Sequence, residues 1–286
     1  MKIAMTGSNG FVGTALTRAL QEDGHEVLPV GRRELALDKE ALADYLTGCD
    51  AIINMAGANI SKRWNREYKK LLYTSRINTT HALVEAISVM DHPPKHLIST
   101  SAVGIYDEEG EHTEDDYRYA VDFLGLICRD WEREALRAMD LDVNVIIFRF
   151  GVVIGRGGGA LSKMLPAFKL GIGGTIGDGR QPFSWVHIED LIQAYRLALG
   201  SGSSLSGVYN LTAPNPITNK ELTKALGRAL HRPTLFPLPP FVLRLIFSEG
   251  ADVLTVGQRV IPKRLSQAGL HFRFRTIEEA LEDVLA

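Results

Sequence analysis

Short runs of apolar residues alternate along the first two thirds of the chain with longer stretches in which apolar positions recur at helical spacing. The short runs predict β-strands and the longer stretches predict helices. The predicted strands are residues 3–5, 26–30, 51–53, 96–100, 143–148 and 208–211, and the main predicted helices are 11–21, 66–90, 122–139 and 161–170. Strands that alternate with helices indicate a parallel sheet covered on both faces, whose carboxyl edge binds ligands.

The pattern loosens in the last half of the chain. Glycine-rich segments at 155–159 and 171–179 indicate surface loops, which sometimes form a lid over a site. The remainder is helical apart from a proline-rich break at 233–240. We therefore predict an α/β fold with a doubly wound parallel sheet in residues 1–212, followed by a smaller, mostly helical C-terminal lobe on the substrate side in residues 213–286.

The strongest local motif is the segment TGSNGFVG, which lies directly between the first predicted strand and the first predicted helix. Its three glycines permit a tight turn, close approach of the backbone to a pyrophosphate and close packing of helix on strand. The helix N-terminus offers free N–H groups and a partial positive charge to phosphates. A glycine turn without a ligand is the alternative, but this context favours a Rossmann-type dinucleotide site. The predicted contacts are Gly7, Asn9, Gly10, Phe11, Val12 and Gly13.

The second predicted strand is followed by Gly31, Arg32 and Arg33. An acid at this place would bind the ribose 2′-hydroxyl of NAD, whereas arginine accommodates a 2′-phosphate. The acid here, Glu34, comes only afterwards. Two solvated surface arginines are the alternative. Because arginine binds phosphate through a bidentate fork, the position favours Arg32 as a phosphate ligand and NADP(H) as the cofactor.

Further motifs follow the predicted strands. They are Asn54-Met55-Ala56-Gly57, Ser99-Thr100-Ser101-Ala102 and Trp185-Val186-His187-Ile188-Glu189-Asp190. Together with the glycine turn they resemble the extended short-chain dehydrogenase/reductase superfamily. The stretches 57–60, 75–77, 101–106 and 130–132 resemble its atypical epimerase branch, and residues 238–285 are similar to that branch's small terminal module.

The resemblance implies which residues surround the cofactor. On the adenosine side they would be Met55, Ala56 and Gly57, and on the nicotinamide side Thr100, Ser101 and Val152, the last in the segment Phe150-Gly151-Val152. Arg76 falls where extended members usually carry an asparagine near the site, so it is included among the cofactor contacts. A solvated helix arginine is the alternative interpretation of Arg76.

The superfamily's acid–base pair is absent from this chain. Its reaction uses a tyrosine with a lysine four residues later, since the nearby ammonium lowers the pKa of the phenol. None of the eight tyrosines has a lysine at that spacing. In the helix where the pair would lie, the two possible registers place Phe123 with Ile127 or Leu124 with Cys128.

Four side chains could replace the missing pair. Ser101 could hydrogen-bond a substrate carbonyl, Tyr106 offers a phenol, and His187 could titrate near neutral pH. His187 could equally be a helix cap or a buried structural residue, and the Cys128 thiol is more typical of core packing. We predict Ser101 and Tyr106 as catalytic candidates.

Two functions stay open at this stage. One is an oxidoreductase or epimerase-like enzyme that acts on a small carbonyl or sugar-like substrate. The other is a non-catalytic NADPH-binding sensor or regulatory protein.

Composition argues against several other classes of protein. The net charge is −2 and no long basic run occurs, so nucleic-acid binding is not expected. No apolar stretch reaches the roughly 18 residues of a membrane span, and a signal-peptide layout is missing. Two distant cysteines fit a reducing cytoplasm.

His92 and His96 are separated by two prolines and cannot share a helical face, so no metal is predicted. The oligomeric state stays open.

Overall fold

The computed structural model describes residues 1–200 and 204–286. The strands in these residues are β1 (Lys2–Thr6), β2 (Glu26–Val30), β3 (Ala51–Asn54), β4 (His96–Ala102), β5 (Glu111–His112), β6 (Asn144–Phe150), β7 (Val152–Ile154), β8 (Pro182–Phe183), β9 (Trp185–His187), β10 (Gly207–Leu211), β11 (Ile217–Thr218) and β12 (Arg259–Val260). The helices are α1 (Phe11–Glu22), α2 (Lys39–Leu46), α3 (Arg66–Ser88), α4 (Phe123–Leu136), α5 (Gly159–Lys169), α6 (Ile188–Leu199), α7 (Asn219–Leu230), α8 (Pro240–Phe247), α9 (Asp252–Thr255), α10 (Lys263–Gln267) and α11 (Ile277–Leu285).

Six strands form one parallel sheet in the order β10-β6-β4-β3-β1-β2. The chain runs outward from β1 to β2 and then returns past β1 to β3, so the strand order reverses beside β1. A crevice forms outside the carboxyl ends of the strands at such a reversal. The predicted doubly wound parallel sheet is therefore confirmed, and it brings the ends of β1, β3 and β4 to one edge.

Helices cover both faces of this sheet. On one face α1 and α6 pack against Ile3, Met5 and Ile98. On the other face α2, α3 and α4 pack against Ala4 and Leu97. Because successive residues of a strand point to opposite faces, a sheet covered on both faces needs apolar residues at nearly every position. This requirement explains the unbroken apolar runs in the sequence.

Most predicted elements occur within a few residues of their expected bounds. Pro29 is tolerated in β2 because β2 is an edge strand with only β1 as a neighbour. Helix α2 was not predicted, although Asp38 is an N-cap signal for it: the Asp38 carboxylate accepts a hydrogen bond from the Ala41 N–H at 2.8 Å.

Two of the C-terminal helices, α7 and α11, belong to a further apolar core. In it α7 and α11 pack with α5, and both α7 and α11 begin with a capping box, at Thr218 and Thr276. Ile154 and Trp185 also lie in this core. Since these two residues precede position 212, the boundary between residues 1–212 and 213–286 stays a prediction.

Two further observations concern the described residues. None of their helices is both long and apolar enough to cross a membrane. Both cysteines, Cys49 and Cys128, are buried and free of disulfide bonds.

Candidate functional site

Three glycines shape the turn between β1 and α1. Gly7 has a φ of +71°, and a Cβ there would lie 2.9 Å from the Met55 carbonyl oxygen. A Cβ on Gly13 would overlap the Gly7 carbonyl, so this glycine lets α1 pack directly on the turn. A Cβ on Gly10 would meet only the Gly7 oxygen, at 3.2 Å, and otherwise point into open space. Gly10 therefore faces the side of the turn where a ligand has room to approach.

The first turn of α1 has no side-chain cap. Its N-cap is Gly10, which has no side chain to accept a hydrogen bond, and no acidic residue lies in the first turn. Helices α2, α3, α4, α6, α7 and α11 all have a side-chain acceptor at this place. Phosphate oxygens are suited to the N–H groups and the positive dipole end of an uncapped helix. The open cradle at Gly10 and the uncapped helix thus fit the pyrophosphate of a dinucleotide.

The segment after β3 is fixed beside this turn by Thr6. The Thr6 hydroxyl donates to the Asn54 side-chain oxygen at 2.8 Å and accepts hydrogen bonds from the N–H groups of Met55 and Ala56 at 3.0 and 3.1 Å. The structure therefore brings Met55, Ala56 and Gly57 to the same edge as the glycine turn. Their contact with a cofactor stays a prediction.

Arg32 is exposed just beyond the end of β2. The nearby Glu34 carboxylate accepts a hydrogen bond from the Gly31 N–H at 2.8 Å, and backbone hydrogen bonds hold the pKa of Glu34 below its usual range. Within residues 1–200 and 204–286, no hydrogen bond or ion pair ties down the Arg32 guanidinium. Arg32 is thus available to an external anion.

The glycine-rich loop that begins at residue 155 packs on the first residue of α1. A Cβ on Gly158 would overlap the Phe11 ring, and Cβ atoms on Gly155 and Gly159 would approach that ring to 2.9 and 3.0 Å. Only a loop without side chains can lie this close. It follows β7, whose half-buried Val152 was predicted near the nicotinamide.

Thr100 and Ser101, near the end of β4, point to opposite faces of the sheet. The Thr100 hydroxyl lies 3.4 Å from the Tyr195 hydroxyl of α6. Ser101 is 1% exposed, and its hydroxyl has no hydrogen-bond partner in the part of the chain that the structure describes. It lies beside the Cys128 sulfur, and burial raises the pKa of that thiol to about 12. Ser101 can therefore donate to a ligand, whereas Cys128 stays protonated and is a poor nucleophile.

The sequence predicted Tyr106 as a catalytic candidate, but the surroundings of its hydroxyl do not suit that role. It is 0% exposed; its hydroxyl donates to the Asn210 side chain at 2.6 Å and accepts from Arg149 at 2.6 Å. Arg149 is itself paired with Glu132 through two hydrogen bonds of 2.7 Å. Burial raises the pKa of Tyr106 to about 12. These contacts argue against proton transfer by Tyr106 and make it part of a buried structural network.

The helix face where the superfamily carries its tyrosine and lysine is apolar. Phe123, Leu124 and Ile127 lie in one hydrophobic cluster with Trp64. The C-terminal part of the chain contacts the loop that contains Trp64: the backbone N–H of Trp64 donates to the Phe247 carbonyl at 3.2 Å. This end of the site is therefore covered by apolar side chains. Within the described residues, no tyrosine and lysine pair lies on this face of α4.

His187 caps a helix. Its Nδ1 accepts the Glu189 N–H at 3.2 Å, and its ring packs on Phe274 with centroids 3.7 Å apart. Burial lowers the pKa of His187 to about 4, although Asp283 lies 3.5 Å from Nε2. His187 is thus neutral at physiological pH and structural, which was one of the two interpretations of the sequence.

This burial predicts a pH dependence of stability. In the unfolded chain His187 takes up a proton near pH 6.5, but in the folded chain only near pH 4, so the free energy of unfolding falls as the pH drops through this window. His187→Asn keeps a capping acceptor and removes the titration. We expect wild type to lose about 2 kcal/mol more than this variant between pH 7 and pH 5, measured by urea denaturation. Equal losses would contradict the assignment.

A family model described as the NAD dependent epimerase/dehydratase family matches residues 3–212. A second model, described as a domain of unknown function (DUF1731), matches residues 238–284. The second match confirms the expected terminal module.

Relatives match along the whole chain. The epimerase family protein SDR39U1 of Mus musculus is 40% identical over 295 residues, which cover 100% of both chains. The epimerase family protein YfhF of Bacillus subtilis is 36% identical over 300 residues, covering 100% of this chain and 98% of the relative.

Solved structures show the same fold. The crystal structure of human epimerase family protein SDR39U1 (isoform 2) with NADPH superposes with a TM-score of 0.91 at 36% identity, covering 99% of each chain. The UDP-glucuronic acid 4-epimerase of Bacillus cereus, in complex with UDP-glucuronic acid and NAD, gives a TM-score of 0.81 at 17% identity, covering 99% of this chain and 98% of that one. At this identity the second likeness concerns the fold alone.

Proposed function

The chain belongs to the NAD-dependent epimerase/dehydratase family of short-chain dehydrogenase/reductase proteins, and from this membership we propose that it is an NADP(H)-dependent oxidoreductase or epimerase-like enzyme for a small carbonyl or sugar-like compound. The observation that carries the proposal is the open side of Gly10 beside the uncapped N-terminus of α1. The NADPH in the human relative's structure supports NADP(H) as the cofactor, as does the exposed Arg32, which has no partner within residues 1–200 and 204–286.

The residues assigned to the cofactor lie along the carboxyl edge of the sheet. The first turn of α1 would hold the pyrophosphate and Arg32 the 2′-phosphate. The remaining contacts would come from Gly7, Asn9, Gly10, Phe11, Val12, Gly13, Met55, Ala56, Gly57, Thr100 and Val152, whereas Ser101, which the resemblance also placed beside the nicotinamide, is assigned to the substrate below. When bound, NADPH supplies a hydride to an acceptor carbon.

Ser101 is the residue that we assign to the substrate. Its hydroxyl, which has no partner within the described residues, would donate a hydrogen bond to the carbonyl oxygen and stabilise negative charge there. The apolar residues at the tyrosine and lysine positions remove the usual proton donor. General acid–base catalysis contributes roughly 10²–10⁴-fold, so turnover should be slow compared with members that keep the pair.

The same apolar helix face favours a second candidate function. A protein that binds NADPH and performs no chemistry would need the cofactor cradle, but not the tyrosine and lysine. Such a protein would be a sensor or regulator of the cofactor pool. For either function we propose a reducing compartment such as the cytoplasm, since both cysteines are free and buried.

Consumption of NADPH with a panel of small carbonyl compounds separates the two functions. For an enzyme we expect slow turnover that Ser101→Ala lowers by roughly 100-fold, the effect of removing one donor to a developing oxyanion. Ser88→Ala, at the far end of α3, is the control and should match wild type. Tight NADPH binding without any turnover would support the sensor. Turnover that Ser101→Ala leaves unchanged would show that the substrate oxygen lies elsewhere.

A further inference from the structure

Two buried hydrogen-bond donors without a good acceptor lie near the end of β4 and on α4. Besides the Ser101 hydroxyl, the Trp131 indole N–H is buried without an acceptor among residues 1–200 and 204–286. Trp131 is 5% exposed and lies three positions after Cys128 on α4, and Cys128 lies beside Ser101. Buried donors are normally paired, and of the five unpaired buried polar atoms in the described residues these two lie on elements that flank a cation.

Arg76 adds a positive charge to this cluster. Its guanidinium lies 5.4 Å from the centroid of the Trp131 ring and against Gly57, where a Cβ would approach Cζ to 2.9 Å. Two of its N–H groups donate to the backbone carbonyls of Leu72 and Ala58, at 3.0 and 3.1 Å. The other three of the five guanidinium N–H groups have no hydrogen-bond partner among the described residues.

No carboxylate balances this charge. Arg76 is half-buried and no ion pair of the described chain includes it, whereas the fully buried Arg149 is paired with Glu132 at 2.7 Å. Burial accordingly lowers the pKa of Arg76, which nevertheless remains a cation at neutral pH. A cation that is partly withdrawn from water is stabilised by a nearby negative charge, so this site is suited to an anion.

The proposed function assigns the phosphates of the cofactor to other residues. Gly10 and the start of α1 follow β1, and Arg32 follows β2. Ser101 lies in β4, which is separated from β1 by β3. Neighbouring strands are about 4.8 Å apart, so this hydroxyl lies roughly 10 Å along the sheet from the strand that leads into the glycine turn. The unsatisfied donors therefore lie away from the cofactor's phosphates and are available to a second ligand.

We propose that Arg76, Ser101 and Trp131 form a carboxylate-binding site, so that the second ligand is a small carbonyl compound that bears a carboxylate. Arg76 binds the two carboxylate oxygens, as its planar fork suits them. The hydroxyl of Ser101 donates to the carbonyl oxygen, and the indole N–H of Trp131 donates to one of the carboxylate oxygens. This assigns Arg76 to the second ligand, whereas the sequence analysis grouped it with the cofactor. The inference rests on the proposed function, because it places this ligand beside bound NADP(H).

Calorimetry on the full chain saturated with NADPH tests the site. The probe is oxamate, a carboxylate with an adjacent amide carbonyl, and oxamide is its neutral counterpart. We expect wild type to bind oxamate in preference to oxamide. Arg76→Met should weaken oxamate binding by roughly 10- to 100-fold, as for the loss of a charged hydrogen bond. Arg133→Met removes a 74% exposed arginine of α4 and should leave binding unchanged.

Two further variants keep the test valid if Arg76→Met fails to fold. Arg76→Lys keeps the charge but loses the fork, and Trp131→Phe removes only the indole N–H and part of the ring. Each should weaken oxamate binding by less than Arg76→Met. NADPH affinity, measured separately on every variant, should stay as in wild type.

Other outcomes overturn the assignment. If wild type with NADPH bound does not prefer oxamate, or if Arg76→Met binds oxamate as wild type does, there is no carboxylate site at Arg76. If Arg76→Met loses affinity for NADPH instead, Arg76 is a cofactor ligand. A wild-type chain that binds no NADPH would refute the proposed function. In that case the binding of oxamate to the chain without cofactor would still test the site formed by Arg76, Ser101 and Trp131.

Discussion

Replacing Gly10 with valine should abolish NADPH binding and leave the chain folded. The backbone of Gly10, with φ −78° and ψ 174°, is extended and accessible to valine. Its Cβ would meet only one protein atom, the Gly7 oxygen at 3.2 Å. The branched side chain would therefore fill the space that the pyrophosphate needs. We expect affinity to fall by at least roughly 100-fold, or about 2.7 kcal/mol.

Gly13→Ala is the matched control for this experiment. A Cβ on Gly13 would overlap the backbone carbonyl of Gly7, which cannot move aside as a flexible side chain could. This variant should lose thermal stability, whereas Gly10→Val should melt close to wild type. Calorimetry with NADPH, together with circular dichroism, separates the two effects. Tight binding by a folded Gly10→Val chain would show that the glycine turn serves only the fold.

Replacing Arg32 with alanine should weaken NADPH binding by about 1.5–3 kcal/mol, as expected for a hydrogen bond to a charged group. Binding of NADH, which lacks the 2′-phosphate, should be almost unchanged. The exposed guanidinium has no partner among the described residues, so its removal breaks no contact within them. The effect on NADPH should therefore come from the lost contact alone.

The neighbouring Arg33 offers a control. It is also exposed, and Arg33→Ala should have a smaller effect on NADPH than Arg32→Ala. Affinities for both cofactors, measured on both variants, decide the outcome. A wild-type preference for NADH, or equal losses for NADH and NADPH in Arg32→Ala, would refute the 2′-phosphate assignment.

The sheet and the glycine turn could be predicted because their signals are local. A strand that is covered on both faces is read from an unbroken run of apolar residues. The glycine turn is read from the spacing of three glycines between a strand and a helix. Both signals lie within a few consecutive residues. The parallel order then brings the ends of β1, β3 and β4 to one edge, which places the predicted cofactor residues together. Helix α2 was missed because it has only 8 residues, too few for a clear periodic pattern.

The roles of individual polar side chains depended on partners that are distant along the chain. The Tyr106 hydroxyl is occupied by hydrogen bonds with Arg149 and Asn210, which argues against proton transfer by it, and the His187 ring packs on Phe274. Arg76 has two backbone carbonyls as hydrogen-bond partners but no carboxylate among the described residues. The sequence by itself therefore determined the fold class and the nucleotide cradle, whereas only the tertiary structure decided which polar residues are structural and which are free. The reason is physical: burial and pairing control the charge and hydrogen bonds of a side chain, and both arise only when distant segments pack together.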